Sequence, residues 1–281
     1  MNVPTSLEVS SSKIFRGELD KHVTTSAGRL EVRFAQDHDD VVAAQALRFR
    51  VFFEEMQALA DPIAQMNRRD IDLFDDVCEH LLVVDHDRPP NEAVVGTYRL
   101  LREDVAARCG GFYSSAEYDL APLTRGPWRP GGLLELGRSC VDPAYRTHTT
   151  IQLLWRGIAR YLDVFNIDLM FGCASFPGRN PLNHQIGLSY LHENHLAPIN
   201  YRVHAVAGQH VPMSTISSKA YSMREAFRSL PPLIKAYLRL GAFIGDGAVI
   251  DQTFGTTDVL IILPVNRIAT RYLNHLSRNT I

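Results

Sequence analysis

The chain has 281 residues, a formal net charge of −2 and a hydrophobic fraction of 46%, which are ordinary values for a globular protein. These values argue against large-scale disorder, and no segment approaches the roughly 20 apolar residues of a membrane-spanning helix. The four cysteines form no CxxC pair and no histidines stand at zinc-finger spacing, so we expect neither a disulfide framework nor a metal site. We also expect no nucleic-acid partner.

The N-terminal segment, residues 1–27, is polar and rich in serine and threonine. It lacks the continuous apolar core of a secretory signal, so we expect a cytoplasmic protein. We predict a flexible arm over residues 1–27 and a single domain over residues 28–281, with a helical elaboration towards the C-terminus.

The first half of the domain predicts a strand, a helix, a long loop and a hairpin. A short strand is expected at Leu30–Phe34, and an acidic helix start follows it, on a helix that runs to about Leu59. The acid-rich stretch Pro62–Asp76 has no periodicity, which is typical of a lid or a binding loop. His80–Val84 and Ala93–Leu101 then predict two strands joined as a hairpin.

The second half alternates strands and helices. A near-continuous apolar run at Ile167–Ser175 predicts a strand that is buried on both faces. The other predicted elements are a helix at Pro181–His195, a strand at Asn200–Val206, a helix within Ser222–Phe243 that begins or kinks at Pro231–Pro232, a strand at Asp258–Val265 and a basic helix at Arg267–Arg278. Together these elements predict an α/β (α+β) fold, with a mixed central sheet flanked by helices.

The stretch Leu133–Arg160 contains the strand, loop and helix around which the rest of the chain is organised. An apolar strand with one acid and one arginine ends at an Asp-Pro pair, and after a short loop apolar residues such as Leu154 and Ile158 recur at helical spacing. Thr149 or Thr150 can cap this helix. The helix dipole and the loop amides would face an anion at the end of the strand, and a phosphate-bearing acyl carrier is the natural candidate.

Charge is distributed unevenly along the chain. Residues 37–87 carry thirteen acidic side chains against four arginines, whereas residues 121–160 carry six arginines against two acids. Ordinary solvated surface charge explains any single one of these residues. Their clustering predicts a half of the protein that attracts cations and a half that attracts anions.

Glu135 and Arg138 stand three residues apart on the predicted central strand, so a regular strand would point them to opposite faces. A β-bulge at Gly137 would bring them to one face and would free a backbone N–H from the ladder. An acid, an arginine and a free N–H suit acyl transfer, because the donor carbonyl gains negative charge while the attacking amine loses a proton. The alternative is a buried structural Glu–Arg pair.

Two further groups of charged residues stand outside this strand. Asp72 and Asp75 lie in the acid-rich loop and are candidates for holding an amine. Arg48 lies on the apolar stripe of the first predicted helix, where it is either a functional residue or an arginine that snorkels at the stripe's edge.

The strand, the Val-Asp-Pro-x-Tyr-Arg loop and the helix resemble the acyl-donor motif of the GNAT acyltransferase superfamily. Four short patterns also resemble the acyl-homoserine-lactone synthases, namely Leu-Arg-Phe-Arg-Val-Phe at Leu47–Phe52, Asp-x-x-Asp at Asp72–Asp75, Val-Gly-Thr-x-Arg at Val95–Arg99 and Glu-Leu-x-Arg at Glu135–Arg138. The long block Leu230–Val265 resembles a narrower family, the L-ornithine Nα-acyltransferases of bacterial ornithine-lipid synthesis. The similarity covers about Leu30–Val265.

This resemblance implies a GNAT-like fold with a bulged central strand, in an enzyme of lipid biosynthesis. Such an enzyme moves a 3-hydroxy fatty acyl group from acyl carrier protein to the α-amine of L-ornithine and forms lyso-ornithine lipid. Its co-substrate would be 3-hydroxyacyl-phosphopantetheine on the carrier protein, and no bound cofactor is implied. The enzyme would be cytoplasmic, with peripheral contact to the inner membrane left open.

The resemblance also assigns the site residues. Glu135, as general base or as the anchor of a base water, and Arg138 would be catalytic. The acyl-donor side would be formed by Gly137, Ser139, Arg146, Thr149 and Thr150. The acceptor side would be formed by Arg48, Asp72, Asp75 and Arg99. After Arg146 the loop reads Thr-His-Thr-Thr where the usual GNAT pyrophosphate loop is rich in glycine, which is consistent with phosphopantetheine on a carrier protein.

Two other functions remain open at this point. A homoserine-lactone synthase would share the donor motifs and would use S-adenosylmethionine, although the C-terminal block argues against it. The other alternative is a non-catalytic module that binds a membrane or a carrier protein.

Overall fold

The computed structural model describes residues 22–268. The predicted arm up to residue 21 and most of the predicted helix Arg267–Arg278 therefore lie outside the described residues. Within the described range the chain forms a large sheet with helices on both faces, so the predicted α/β fold class is confirmed. Thr25–Ala27, in the segment predicted as an arm, form an edge strand that pairs with the next strand of the sheet.

The large sheet has nine strands among the described residues. Eight of them follow one another across it in the order β1 (Thr25–Ala27), β2 (Leu30–Phe34), β3 (Glu79–Asp85), β4 (Val94–Arg102), β6 (Leu133–Val141), β7 (Leu169–Pro177), β11 (Thr256–Pro264) and β10 (Val249–Asp251). The ninth, β9 (Phe243–Ile244), pairs with β11, and a separate ribbon joins β5 (Tyr118–Asp119) to β8 (His204–Ala205). These strand pairs are antiparallel except for β6 with β7, which is parallel.

Eight α-helices lie in the described part of the chain. They are α1 (His38–Phe49), α2 (Pro62–Asn67), α3 (Glu103–Ala106), α4 (Ala121–Thr124), α5 (His148–Phe165), α6 (Gln185–His195), α7 (Met223–Ser229) and α8 (Pro232–Leu240). The first helix continues into a π-helical turn at Arg50–Glu55, so its predicted length is nearly correct.

The two faces of the sheet are covered by different helices. The apolar face of α5, including Leu154 and Ile158, packs into the core cluster that contains β2, β3 and β4 side chains. On the opposite face, Ala44 and Leu47 of α1 pack against Leu82 of β3. Each helix buries one apolar stripe on the sheet, which is the stable arrangement for amphipathic helices.

The cap of α5 differs from the prediction. Thr147 is its N-cap residue, and its side chain accepts the N–H of Thr150 at 3.3 Å. Thr149 and Thr150 already lie inside the first turn of the helix, so neither of them is the cap.

Three other elements differ from their predictions. The loop Pro62–Asp76 contains α2, which Asp61 caps by accepting two backbone N–H groups. The segment Ser222–Phe243 holds an additional helix, α7, before the predicted one; α8 itself begins at Pro232 as predicted, because Pro231 cannot donate to a helical bond and Leu230 before it is extended. The predicted strand Asn200–Val206 is reduced to the two residues of β8; Val203 is buried without belonging to a strand.

The parallel strands β6 and β7 separate after a short paired segment. Only Leu133–Glu135 pair with Leu169–Phe171, although each strand is nine residues long. At the end of the paired segment the carbonyl oxygen of Leu136 approaches Gly172, where an ideal Cβ would lie 2.1 Å from that oxygen. Glycine is therefore required at the point where the strands part.

We expect Gly172→Ala to destabilise the protein by about 1–3 kcal/mol, because the new methyl group collides with a backbone oxygen that only a shift of β6 can move away. Urea or thermal unfolding measures this loss. Gly137→Ala on the neighbouring strand is the control, since a Cβ there meets nothing within 4 Å and should leave the stability nearly unchanged. Equal stability of both variants would mean that the strands are not held in close contact at Gly172.

Candidate active site between the parted strands

The gap between β6 and β7 opens into a cavity of about 230 Å³. Both strands line it, together with Tyr113, Ser114 and Glu117 and with Phe52 and Met56 of the π-helical turn and its C-cap. A second space of about 30 Å³, lined by Tyr98 and Tyr237, shares residues 136–139 with the cavity. Because both tyrosines belong to the core on the α5 face, the opening passes through the sheet from one face to the other.

A β-bulge in β6 shapes one wall of the cavity. Thr97 pairs with Cys140 and Arg99 with Gly137, so the single residue Tyr98 stands opposite both Arg138 and Ser139. Arg138 has a φ of +49°, in the left-handed region. The predicted bulge is confirmed, but it lies one residue after Gly137, and the arginine rather than the glycine takes the unusual conformation.

The bulge brings Glu135 and Arg138 to one face of the sheet. Both line the cavity, and Tyr113 contacts each of them. The backbone N–H of Tyr113 donates to Glu135 at 2.7 Å, while its ring lies 4.8 Å from the guanidinium carbon of Arg138. Arg138 forms its ion pairs with other acids, so the alternative of a structural Glu–Arg pair is wrong.

Glu135 is held by donors from the turn at Tyr113–Ala116. It accepts the N–H of Tyr113, the N–H of Ser114 at 2.7 Å and the hydroxyl of Ser114. Burial raises the pKa of the Glu135 carboxyl, and these hydrogen bonds offset part of the rise. The resulting group is a buried carboxyl that is fixed in direction and faces the cavity.

Next to this carboxyl, three arginines and three aspartates alternate in a closed ring. In order around the ring these residues are Arg48, Asp70, Arg138, Asp72, Arg99 and Asp75. The six N–O distances lie between 2.6 and 3.1 Å. Each charge has two opposite charges beside it, so the ring is electrically neutral although most of it is buried.

The ion pairs of the ring limit the roles that its arginines and aspartates can have. Arg48 is fully buried and paired with two aspartates, so the snorkelling alternative is wrong. Burial alone would raise the pKa of Asp75, but the hydrogen bonds and charge of Arg48 and the charge of Arg99 hold it well below its ordinary value. Asp72 and Asp75, which the sequence offers as amine ligands, are already neutralised by arginines.

The predicted donor residues fall into two places. Gly137 and Ser139 line the cavity with the bulge. Arg146, Thr149 and Thr150 lie outside the cavity lining, at the loop before α5 and in the first turn of that helix. Thr150 is fully buried, and both Nη atoms of Arg146 pair with Glu55 at 2.6 Å.

The sequence reasoning missed several residues of the site. Asp70 completes the ring, and its position two residues before Asp72 in the acid-rich loop is the one signal that points to it. Ser114 positions Glu135 from a segment with no periodicity. Glu117 and Asp258 also line the cavity, and no motif singles them out.

We expect Asp75→Asn to destabilise the protein by about 3–5 kcal/mol at neutral pH, because it leaves buried arginine charge uncompensated. The folded pKa of Asp75 is depressed, so the stabilisation is present above its unfolded pKa of about 4 and is lost as the pH falls below that value. Urea unfolding between pH 2 and 7 measures both effects. The neighbouring, exposed Asp76→Asn is the matched control, and equal unfolding of the two variants would contradict a stabilising ring.

Residues 22–268 contain no group of three or more histidine, cysteine, aspartate or glutamate side chains placed to hold a metal ion. No helix in this range has the length and apolar character that a membrane crossing requires.

Comparison with known proteins identifies the family. The acetyltransferase (GNAT) domain model matches residues 47–156, which include the end of α1, the six residues of the ring and the bulged strand. The chain is 48% identical over 265 residues to the L-ornithine N(alpha)-acyltransferase of Brucella abortus (strain 2308), covering 93% of this chain and 94% of that one. It is 49% identical over 249 residues to the protein of the same name from Rhizobium meliloti (strain 1021), covering 88% and 83%.

Among solved structures, the AHL synthase LasI has a TM-score of 0.48 and 13% sequence identity to this chain, and the match covers 88% of this chain and 95% of the other. The identity to the curated relatives is far higher and extends over nearly their whole length. The alternative of a non-catalytic module is set aside, because those relatives are acyltransferases by name and the GNAT model matches the site. The chain belongs to the L-ornithine Nα-acyltransferase family and is a GNAT-type acyltransferase.

Proposed function

We propose that this enzyme moves a 3-hydroxy fatty acyl group from acyl carrier protein to the α-amine of L-ornithine, with lyso-ornithine lipid as the product. The observation that carries the proposal is the opening between β6 and β7, where a buried carboxyl and a bulged backbone face one cavity. The names of the relatives support ornithine as the acceptor.

The backbone of β6 supplies the donor side of the reaction. Residues 136–139 have no partner on β7, so the backbone at the bulge faces the gap between the strands. In this proposal a thioester carbonyl lies in the gap and a backbone N–H of the bulge stabilises the negative charge that develops on its oxygen. The amine nitrogen forms a bond to the carbonyl carbon, the carbon–sulfur bond breaks, and the phosphopantetheine thiol leaves.

The α-ammonium group first releases one proton to solvent, and Glu135 takes the second proton, which the amine nitrogen must lose when it bonds to the carbonyl carbon. The three hydrogen-bond donors to Glu135 occupy both carboxylate oxygens, which favours action through a water molecule that it anchors. The proton then passes to the departing sulfur, so the enzyme ends the cycle in its starting state. Arg138 closes the same face, held by Asp70 and Asp72.

The remaining assigned residues have positioning roles in this proposal. The backbone N–H groups of the first turn of α5 and the exposed Thr149 would hold the phosphate of the carrier's phosphopantetheine; the buried Thr150 would fix this turn, and Arg146 would exchange Glu55 for the phosphate. Arg48, Asp72, Asp75 and Arg99 shape the acceptor side through the ring.

The acyl chain and the product need apolar surroundings. The smaller space is lined by Leu233 and Tyr237 of α8 and by Ile261 of β11, all from the C-terminal block, and in this proposal the acyl chain enters there by displacing these apolar side chains. On the surface, α2 exposes Ile63 and Met66 three residues apart on one face. This exposed apolar face supports peripheral contact with the inner membrane from a cytoplasmic position.

We expect thiol release when the enzyme is mixed with 3-hydroxyacyl carrier protein and L-ornithine, with the acylated α-amine identified by mass spectrometry. The same acyl group on coenzyme A should react more slowly, because the loop after Arg146 lacks the glycines of a pyrophosphate site. No thiol release with ornithine from either donor would refute the proposed function. Release with S-adenosylmethionine alone would assign a homoserine-lactone synthase instead.

We expect Glu135→Gln to slow acyl transfer at neutral pH by about 10²-fold or more, because the amide cannot accept the proton while its size preserves the fold. Single-turnover thiol release measures the rate, and thermal unfolding checks the fold. Glu92→Gln, on the exposed turn before β4, is the control and should react like the wild type. A folded Glu135→Gln enzyme of near wild-type rate would remove Glu135 from the mechanism.

A further inference from the structure

Three carboxyls in the cavity are used neither by the ring nor by the hydrogen bonds of Glu135. One of them, Asp251, accepts the backbone N–H groups of Thr253 and Phe254, which leaves two to be explained. Glu117 and Asp258 line the same cavity as Glu135 and Arg138. Asp258 is only 6% exposed, and its Oδ1 atom has no hydrogen-bond partner among the described residues. A buried carboxylate oxygen without a donor is costly, so a ligand donor that reaches this oxygen would be strongly favoured.

The fold places these carboxyls across the gap from the bulge. Glu117 accepts a hydrogen bond from the thiol of Cys173 at 3.2 Å, and Asp258 pairs with Ser175 in the ladder between β11 and β7. Both acids therefore stand against the far strand of the gap. They face the cavity from β7, whereas the bulge at Arg138 faces it from β6.

The local electrostatic environment favours a cation here. Burial raises the pKa of Glu117 to about 7, and the charge of Asp258 adds to the rise. Burial likewise raises the pKa of Asp258 to about 6; the hydroxyl groups of Thr256 and Ser175 offset part of the rise, and the charge of Asp251 adds to it. In the described part of the chain, neither carboxyl has an arginine, lysine or histidine at ion-pair distance, because Arg138 is engaged by the ring.

We propose that Glu117 and Asp258 bind the distal ammonium group of the acceptor, a basic α-amino acid, and so select it over acceptors with neutral side chains. This proposal rests on the proposed function and adds the residues that recognise the side chain. The aliphatic stem would lie against Phe254 and Met56, which also line the cavity. The α-amine then points back towards Glu135 and the bulge.

The chemical consequence is selectivity for the distal ammonium. An acceptor without the distal ammonium group leaves the Oδ1 atom of Asp258 buried without a donor. A site built in this way rejects the analogue that lacks the group by large factors, whereas an apolar pocket discriminates only weakly. Ornithine and norvaline are the informative pair, because they share the carbon chain and differ in the distal amine.

The test measures kcat/KM for ornithine and for norvaline with the same acyl donor. We expect the wild type to prefer ornithine by about 10²-fold or more, and we expect Glu117→Gln and Asp258→Asn each to reduce that preference by about 10-fold or more, mainly through the KM for ornithine. Asp119→Asn, two residues from Glu117 and exposed, is the matched control and should keep the wild-type preference.

The outcomes distinguish failure of the proposed function from failure of the ammonium site. No transfer to ornithine by the wild type would refute the proposed function itself. Transfer with a preference that neither Glu117→Gln nor Asp258→Asn changes would overturn only the ammonium site. An equal fall in kcat for both acceptors, with a shifted pH profile, would assign Glu117 to proton transfer instead and would also overturn it.

Loss of folding does not mimic the expected result. The pKa of each carboxyl is raised on folding, so ionisation between about pH 4 and pH 7 disfavours the folded state. Both neutral variants should therefore unfold at pH 8 no more easily than the wild type. A marked fall in their melting temperature would show that the two carboxyls stabilise the fold. That result would contradict the proposal, because carboxyls that lack their cation should not stabilise the protein.

Discussion

The closed ring of six alternating charges is the interaction on which the site depends. It ties Arg48 of α1 and Arg99 of β4 to Arg138 of the bulge through three aspartates of one loop. Burying one such pair costs desolvation that a single partner barely offsets, but in a closed ring every charge has two opposite neighbours. The ring thereby holds the acid-rich loop against the sheet and holds Arg138 on the face that carries Glu135.

The ring also changes where positive charge is recognised. The acid-rich loop attracts attention in the sequence, yet its aspartates at the site are neutralised by arginines. Uncompensated negative charge lies instead across the gap, at Glu117 and Asp258. The arginine-rich half behaves similarly, because Arg129 pairs with Asp168 and Arg146 with Glu55, which reduces its attraction for an anion. The net charge of a sequence segment is thus a poor measure of the electrostatic field at a folded site. Ion pairs between distant segments decide which charges remain uncompensated there.

The cavity results from a close approach of β6 and β7 at one point and from a bulge that separates them at the next. Gly172 lets the backbone of β6 approach closely at the end of the paired segment, and the bulge at Arg138 turns the next residues away from regular pairing. The result is an opening through the middle of a sheet whose remaining strands stay tightly paired. Ladder pairing on the outer sides of β6 and β7 supports this opening, so a rigid frame surrounds a gap wide enough for a ligand.

Hydrophobic periodicity and motif spacing are local properties, so they predict the fold class, most of the long strands and helices, and the placement of Glu135 and Arg138 on one face. The sequence also located the bulge to within one residue, from a glycine inside a strand. Folding brings Asp70 to Arg138, 68 residues away, to complete the ring, and it places Glu117 and Asp258 at one cavity. Those contacts join segments that lie far apart in the chain. Ion pairing and burial decide which carboxyls are neutralised by arginines and which remain without a cation, and no local sequence pattern encodes either property.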